Sequence, residues 1–171
     1  MQWEHKVRQV SYWLFYQPSG GSPFPVAEPI RGLDMSDLIH RPAPPLRVVV
    51  ADDHPKVLES VRRVLGPDFQ VVAAVDDGLE LVEAVRGLAP DLILLDVEMP
   101  QMDGIRAARE VRSLGSAARV IFLTVHVEED YVDAARKCGD GYVLKSRMAS
   151  ELLPAIEDAL NGKFFVSHRF R

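Results

Sequence analysis

The chain has 171 residues, of which 47% are hydrophobic and 26% charged, with a formal net charge of -5. This length allows one full globular core, and the composition is that of a folded protein rather than a disordered one. The negative balance offers no general attraction to nucleic-acid phosphates. The single cysteine, Cys138, excludes an internal disulfide, and no Cys/His cluster has zinc-ligand spacing. We therefore expect an unexported protein in a reducing, cytoplasmic setting.

Residues 1–45 combine an aromatic cluster with a high density of prolines, a composition that opposes helix and central strand. We expect a disordered or loosely attached extension, and the alternative is a partner-docking segment with aromatic anchors. The apolar run from Val10 to Tyr16 is far shorter than the roughly 20 residues of a membrane-spanning helix. Met35 begins the run Met-Ser-Asp-Leu-Ile, which reads as a second candidate start.

From Leu46 the chain alternates short apolar runs with helical periodicity, a pattern typical of βα units around a parallel sheet. We predict one domain over residues 46–162 and a C-terminal tail over residues 163–171. Four helices have clear apolar stripes, of which Ile105, Ala108, Val111 and Leu114 form one example; the helix around residues 131–138 is less amphipathic. The five predicted strands are Arg47–Ala51, Gln70–Val75, Leu92–Asp96, Val120–Thr124 and Gly141–Leu144.

Polar residues stand where these strands end. In a doubly wound parallel sheet the carboxyl ends meet at one edge, so we expect such residues to converge. Three clustered carboxylates repel one another, which favours raised pKa values or a bound hard cation such as Mg²⁺. A threonine hydroxyl and a lysine ammonium could then hold phosphoryl oxygens around a carboxylate nucleophile. The residues concerned are Asp52, Asp53, Asp96, Thr124 and Lys145.

These segments, in this order and spacing, resemble the CheY-like receiver domain of two-component response regulators. The matching runs are Val-Val-Val-Ala-Asp52-Asp53-His54-Pro55, Leu-Leu-Asp96-Val-Glu-Met-Pro100-Gln-Met-Asp-Gly104, Phe-Leu-Thr124 and Gly-Tyr142-Val-Leu-Lys145. The resemblance implies a flavodoxin-like (βα)5 fold, a doubly wound, five-stranded parallel sheet in the order 2-1-3-4-5.

The resemblance also implies a role for each matching residue. Asp96 would accept a phosphoryl group from a sensor histidine kinase. Asp52, Asp53, Asp96 and the backbone carbonyl of Glu98 would bind Mg²⁺. Lys145 would hold the phosphoryl group, with Thr124 and Tyr142 as the switch pair that alters a protein-interaction surface, and the resemblance allows a homodimer.

The Asp-His-Pro run, the Thr-Val-His run and Gly-Lys-Phe-Phe-Val-Ser resemble the branch fused to a LuxR-type helix-turn-helix. Only ten residues follow Asn161, too few for a recognition helix and its supporting helix. We therefore expect this chain not to bind duplex DNA directly.

Single residues of the motifs carry further expectations. Val125 stands where many relatives have alanine, and Ser146 where many have proline, for which we expect a trans bond. For His126 we expect solvent exposure, and Glu98 and His126 are candidates for tuning the phosphoryl lifetime. Cys138 is expected to be a small buried residue and His54 a helix cap.

Other functions fit the sequence less well. A haloacid-dehalogenase-type phosphatase places its aspartyl nucleophile in an Asp-x-Asp after the first strand, whereas here the candidate follows the third. A nucleotide-binding module would need a Gly-rich loop after a strand, which this sequence lacks. A receiver that acts as a phosphate sink with no output remains the alternative. We expect no enzymatic activity beyond slow self-dephosphorylation.

Overall fold

The computed structural model describes residues 44–168. Residues 1–43 of the predicted extension, with its aromatic cluster and the Met35 start, and the last three residues of the predicted tail lie outside this range. Within it, no helix is long and apolar enough to cross a membrane.

The described residues form a single parallel sheet between two layers of helices. Its strands are rich in Val, Ile and Leu, because helices cover both faces of most of them. They are β1 (Leu46–Ala51), β2 (Phe69–Val75), β3 (Leu92–Leu95), β4 (Arg119–Thr124), β5 (Gly141–Leu144) and β6 (Phe165–Val166).

Five α-helices connect or follow these strands in the described range. Three of them start where the sequence favours a helix start: Pro55 occupies the first turn of α1, and the Asp77 and Asp103 side chains cap α2 and α3. The helices are α1 (Pro55–Leu65), α2 (Gly78–Leu88), α3 (Gly104–Ser113), α4 (Glu129–Arg136) and α5 (Met148–Leu160), with a 3-10 turn over Lys145–Arg147.

The strand order is β2-β1-β3-β4-β5-β6, and every neighbouring pair is parallel. The flavodoxin-like fold and the order 2-1-3-4-5 of its first five strands are confirmed. The prediction of five strands was incomplete, because β6 extends the sheet beyond β5. This strand has only two residues, too few for any alternation to show in the sequence.

Apolar side chains fill both faces of the sheet. One core cluster includes Val49, Ile93 and Phe122, and the other includes Val48, Leu94 and Leu123, so successive strand residues point to opposite faces. Most residues of the predicted helical stripes are buried or half-buried. Leu114 is an exception at 41% exposed, because it caps the end of α3 rather than facing the sheet.

Candidate functional site

The strand-end residues converge at the carboxyl edge of β1 and β3, the point where the chain's winding reverses direction. Asp52 follows β1 and its backbone N–H donates to the carbonyl of Val75 at 3.0 Å. Asp96 follows β3 and donates to the carbonyl of Ala51 at 2.8 Å. These bonds continue the sheet by one residue on each strand. They fix both carboxylates side by side at the edge of the core.

Lys145 lies between these two carboxylates. Its Nζ is 2.6 Å from Asp96 Oδ2, to which it donates a hydrogen bond, and 2.7 Å from Asp52 Oδ2. The contact with Asp52 is an ion pair without hydrogen-bond alignment, so Asp52 Oδ2 is a buried oxygen with no donor. The two carboxylate side chains are only 3% and 6% exposed. One cation therefore compensates two buried anions, and one negative charge is left over.

Burial and this shared cation set the protonation of the site. Burial raises the pKa of Asp96 above its usual range, and Lys145 opposes that rise through its hydrogen bond and its charge. Burial acts to lower the pKa of Lys145, but its ion pairs with Asp52 and Asp96 outweigh burial and raise that pKa. Lys145 is therefore held as an ammonium ion beside a carboxylate whose ionised form is costly.

Asp53 and His54 complete a cluster at the mouth of the site. Ligand atoms of Asp52, Asp53, His54 and Asp96 all lie within 4.8 Å of one another. His54 Nδ1 lies 2.6 Å from Asp53 Oδ1, and the Asp53 side chain is 36% exposed. His54 stands at the N-cap position of α1, as predicted, but its side chain makes no capping bond. Three carboxylates with one oxygen lacking a donor suit a hard cation.

The loop after β3 packs tightly beneath Asp96. Asp96 Oδ1 accepts a 2.7 Å hydrogen bond from the backbone N–H of Val97, and the N–H of Gly104 donates to the Val97 carbonyl at 2.9 Å. A Cβ on Gly104 would stand 1.9 Å from the Asp96 carbonyl oxygen. Glycine at this position thus allows the start of α3 to support the Asp96 backbone.

Gly104→Ala is expected to lower the free energy of unfolding by about 2–3 kcal/mol, because the backbone must move to relieve this overlap. Urea unfolding measures it. Gly87→Ala is the control, since a Cβ there meets nothing within 4 Å and α2 should gain helix propensity. Equal stability of the two variants would contradict this account of the loop.

Glu98 and His126 face each other across the mouth. His126 Nε2 lies 3.0 Å from Glu98 Oε1, and the His126 ring stacks on Tyr131 with centroids 4.3 Å apart. The expectation of an exposed His126 was wrong, since its side chain is only 16% exposed. The ring of Tyr131, in the first turn of α4, stacks on it. Val125 is 68% exposed beside it.

Thr124 and Tyr142 are both fully buried. Thr124 Oγ1 accepts a 3.1 Å hydrogen bond from the backbone N–H of His126, and Tyr142 Oη donates to the His126 carbonyl at 3.4 Å. Burial raises the pKa of Tyr142 far above its usual value. The predicted switch residues are therefore joined through one backbone segment, that of His126. In the described residues no peptide bond is cis, and the trans bond expected before Ser146 is confirmed.

The profile of the response regulator receiver domain family matches residues 48–157. The chain belongs to this family. Receiver domains of response regulators are phosphoacceptors rather than enzymes. Membership of the receiver family agrees with the order of the site residues along the chain. It argues against the haloacid-dehalogenase-type phosphatase.

The receiver domain is similar to part of a named transcriptional regulator. It is 36% identical over 124 residues to the transcriptional regulatory protein DegU of Brevibacillus brevis. The match covers 71% of this chain and 52% of that protein, so the chain spans about half the length of this curated relative.

Two solved structures of response regulators are also similar to this chain. The signal receiver domain of the response regulator NarL from Mycobacterium tuberculosis is 37% identical with a TM-score of 0.66, covering 71% of this chain and 100% of that one. A LuxR-family two-component response regulator from Aurantimonas is 35% identical with a TM-score of 0.68, covering 72% and 91%.

Sequence reasoning missed two polar contacts of this receiver domain. Gln101 has a positive φ of 60° and its side-chain amide donates to Asp77 Oδ2 at 2.7 Å, tying the loop after β3 to the start of α2. Glu151 on α5 is buried and hydrogen-bonded to Ser167, beyond β6. Gln101 and Glu151 each read as ordinary surface residues of a loop or helix. No local signal in the sequence distinguishes them.

Proposed function

We propose that this receiver domain takes a phosphoryl group from a sensor histidine kinase onto Asp96. The observation that carries the proposal is the Asp96 carboxylate, buried at the switch point of the sheet and held 2.6 Å from the Lys145 ammonium. A buried carboxylate with a raised pKa and a fixed cation beside it is an unusual arrangement for a residue that serves only the fold.

The transfer is a displacement at phosphorus. A carboxylate oxygen of Asp96 attacks the phosphorus of the kinase phosphohistidine, a P–O bond forms as the P–N bond breaks, and the electron pair leaves with the imidazole. Lys145 then gives up part of its contact with the two carboxylates, and its ammonium group binds a phosphoryl oxygen as a point charge. The Thr124 hydroxyl donates to another oxygen of the same group, which requires it to turn from its present bond.

Asp52, Asp53, Asp96 and the backbone carbonyl of Glu98 would hold Mg²⁺ at this edge of the sheet. When bound, this ion compensates the charge of the phosphoryl oxygens during in-line transfer. The donor set fits, because Asp52 Oδ2 is buried without a hydrogen-bond donor and Asp53 is open to solvent. Asp53 would exchange its contact with His54 for the ion.

Asp53→Ala is expected to weaken Mg²⁺ binding by about ten-fold or more, since one of the carboxylates that balance the ion is lost. Isothermal calorimetry measures the affinity directly. Asp130→Ala, an exposed carboxylate at the start of α4, is the matched control and should bind Mg²⁺ as the wild type does. Unchanged affinity in Asp53→Ala would remove Asp53 from the ligand set.

Phosphorylation would act through Thr124 and Tyr142. When the Thr124 hydroxyl turns to the phosphoryl group, it releases the backbone N–H of His126. The backbone carbonyl of the same residue accepts the hydrogen bond from Tyr142 Oη. We propose that the change reaches the face formed by α4, β5 and α5, the output surface for a protein partner or a homodimer.

Glu98 and His126 pair over the mouth of the site and would limit the water that reaches the phosphoryl group. The protein would act in the cytoplasm, without binding DNA through these 171 residues.

Intact-mass spectrometry with acetyl phosphate tests the proposal. With Mg²⁺ the chain should gain one phosphoryl group, about 80 Da, and with a chelator it should gain none or gain it far more slowly. An equal labelling rate with Mg²⁺ and with the chelator would contradict the metal site. No labelling in either condition, by acetyl phosphate or by a phosphorylated kinase, would contradict the function.

A further inference from the structure

Beyond the phosphoacceptor site, a second buried polar cluster joins α5 to the chain after β6. Glu151 is only 4% exposed. Its Oε2 accepts a 2.5 Å hydrogen bond from Ser167 Oγ, and its Oε1 lies 2.7 Å from His168 Nδ1. Arg147 stands at 3.5 Å from the same Oε1. We refer to Glu151, Ser167 and His168 as the latch.

The latch also reaches into β5. Ser167 is fully buried, and its backbone N–H donates to the carbonyl of Tyr142 at 3.0 Å. Its hydroxyl oxygen accepts from the backbone N–H of Leu144 at 2.9 Å while donating to Glu151. Leu144 is the residue directly before Lys145. Ser167 thus hydrogen-bonds the backbone of β5 at two residues, the switch residue Tyr142 and Leu144 directly before Lys145.

The buried charge of Glu151 makes the residues of the latch depend on one another. Burial acts to raise the pKa of Glu151, but the hydrogen bonds from Ser167 and His168 outweigh it and the pKa is lowered. These hydrogen bonds therefore stabilise the ionised carboxylate at a buried position. Without the Ser167 hydroxyl, Glu151 loses one of these donors and the Leu144 N–H loses its acceptor. Undocking β6 thus has a direct cost at the end of β5.

We propose that the latch is a positioning device which holds the end of β5, and with it Lys145, so that docking of β6 and phosphorylation of Asp96 are coupled. This inference rests on the proposed function, since it assigns Lys145 to the phosphoryl group. The coupling is reciprocal. If docking of β6 favours phosphorylation of Asp96 by a given free energy, phosphorylation of Asp96 must favour docking of β6 by the same free energy. The docking of the segment after β6 would then depend on whether Asp96 is phosphorylated.

Ser167→Ala in the full chain tests the positioning role. We expect acetyl phosphate labelling at saturating Mg²⁺ to slow about three- to ten-fold, the value of one or two lost hydrogen bonds, with unchanged Mg²⁺ affinity. Amide hydrogen exchange at Leu144 should accelerate. Ser113→Ala removes a hydroxyl that bonds only within α3 and should leave all three measurements unchanged. Ser167→Thr keeps the hydroxyl and should restore protection at Leu144.

Hydrogen exchange of the wild type with and without acetyl phosphate tests the coupling. Labelling should change the protection of the Ser167 and His168 amides, and Asp96→Asn should show no change. Equal labelling rates in wild type and Ser167→Ala, or identical protection of Ser167 in both states, would overturn the latch while leaving the proposed function intact. If the wild type does not label at all, the proposed function fails instead. Exchange at Leu144 then still decides whether Ser167 holds β5.

Discussion

Replacing Asp96 by asparagine is expected to abolish phosphoryl labelling, because an amide oxygen is a poor nucleophile and cannot form the acyl phosphate. Mass spectrometry with acetyl phosphate and Mg²⁺ measures the loss. Asp130→Asn, a change of the same kind at an exposed position, should label as the wild type does. Residual labelling of Asp96→Asn at the wild-type rate would move the acceptor elsewhere.

The same substitution should stabilise the protein in the absence of Mg²⁺. The pKa of Asp96 is raised in the folded state, so its ionised form opposes folding, and stability contributed by this group falls as pH rises through that pKa. Asparagine removes this charge and leaves Lys145 paired with Asp52. At neutral pH we expect a higher free energy of unfolding than in the wild type, read by urea unfolding. The gain should shrink in acid, where Asp96 is protonated.

Lys145→Met is expected to slow labelling about ten- to a hundred-fold, because the phosphoryl group loses its charged hydrogen-bond donor. The substitution also leaves Asp52 and Asp96 as two buried carboxylates without their shared cation. Their repulsion should raise the pKa of Asp96 further and tighten Mg²⁺ binding, which relieves it.

Rate and affinity together make this prediction specific. Labelling kinetics and calorimetry on one protein should show a slower rate beside an equal or higher Mg²⁺ affinity. Lys137→Met changes an exposed lysine at the end of α4 and should alter neither quantity. A loss of Mg²⁺ affinity in Lys145→Met would mean that Lys145 supports the metal site rather than the phosphoryl group.

Much of the fold and most of the site could be predicted from the sequence, because both follow from where apolar runs end. Each of three apolar strand runs ends at a polar residue, so Asp52, Asp96 and Thr124 stand out in the sequence. Parallel topology then brings them together. The convergence of Asp52 and Asp96 on Lys145 is a consequence of that topology.

The remaining features depend on contacts between segments that are far apart in the chain. β6 forms by pairing with β5, and the buried Glu151 is hydrogen-bonded to Ser167 and His168, which follow β6. His126 was expected in solvent because nothing near it in sequence predicts the stacked ring of Tyr131. Leu114 continues the apolar period of α3, but the helix ends at Ser113 and Leu114 is exposed at its C-cap position.

Mapping the phosphoryl group to one residue is the most direct test of this account. The wild-type chain would be labelled with acetyl phosphate and Mg²⁺, the acyl phosphate trapped by borohydride reduction, and the peptides sequenced by mass spectrometry. We predict that the reduced residue is Asp96 and that Asp52 and Asp53 are unmodified. A trapped product at any other residue, or a histidine phosphate that borohydride leaves unreduced, would contradict the assignment of Asp96 as the phosphoacceptor.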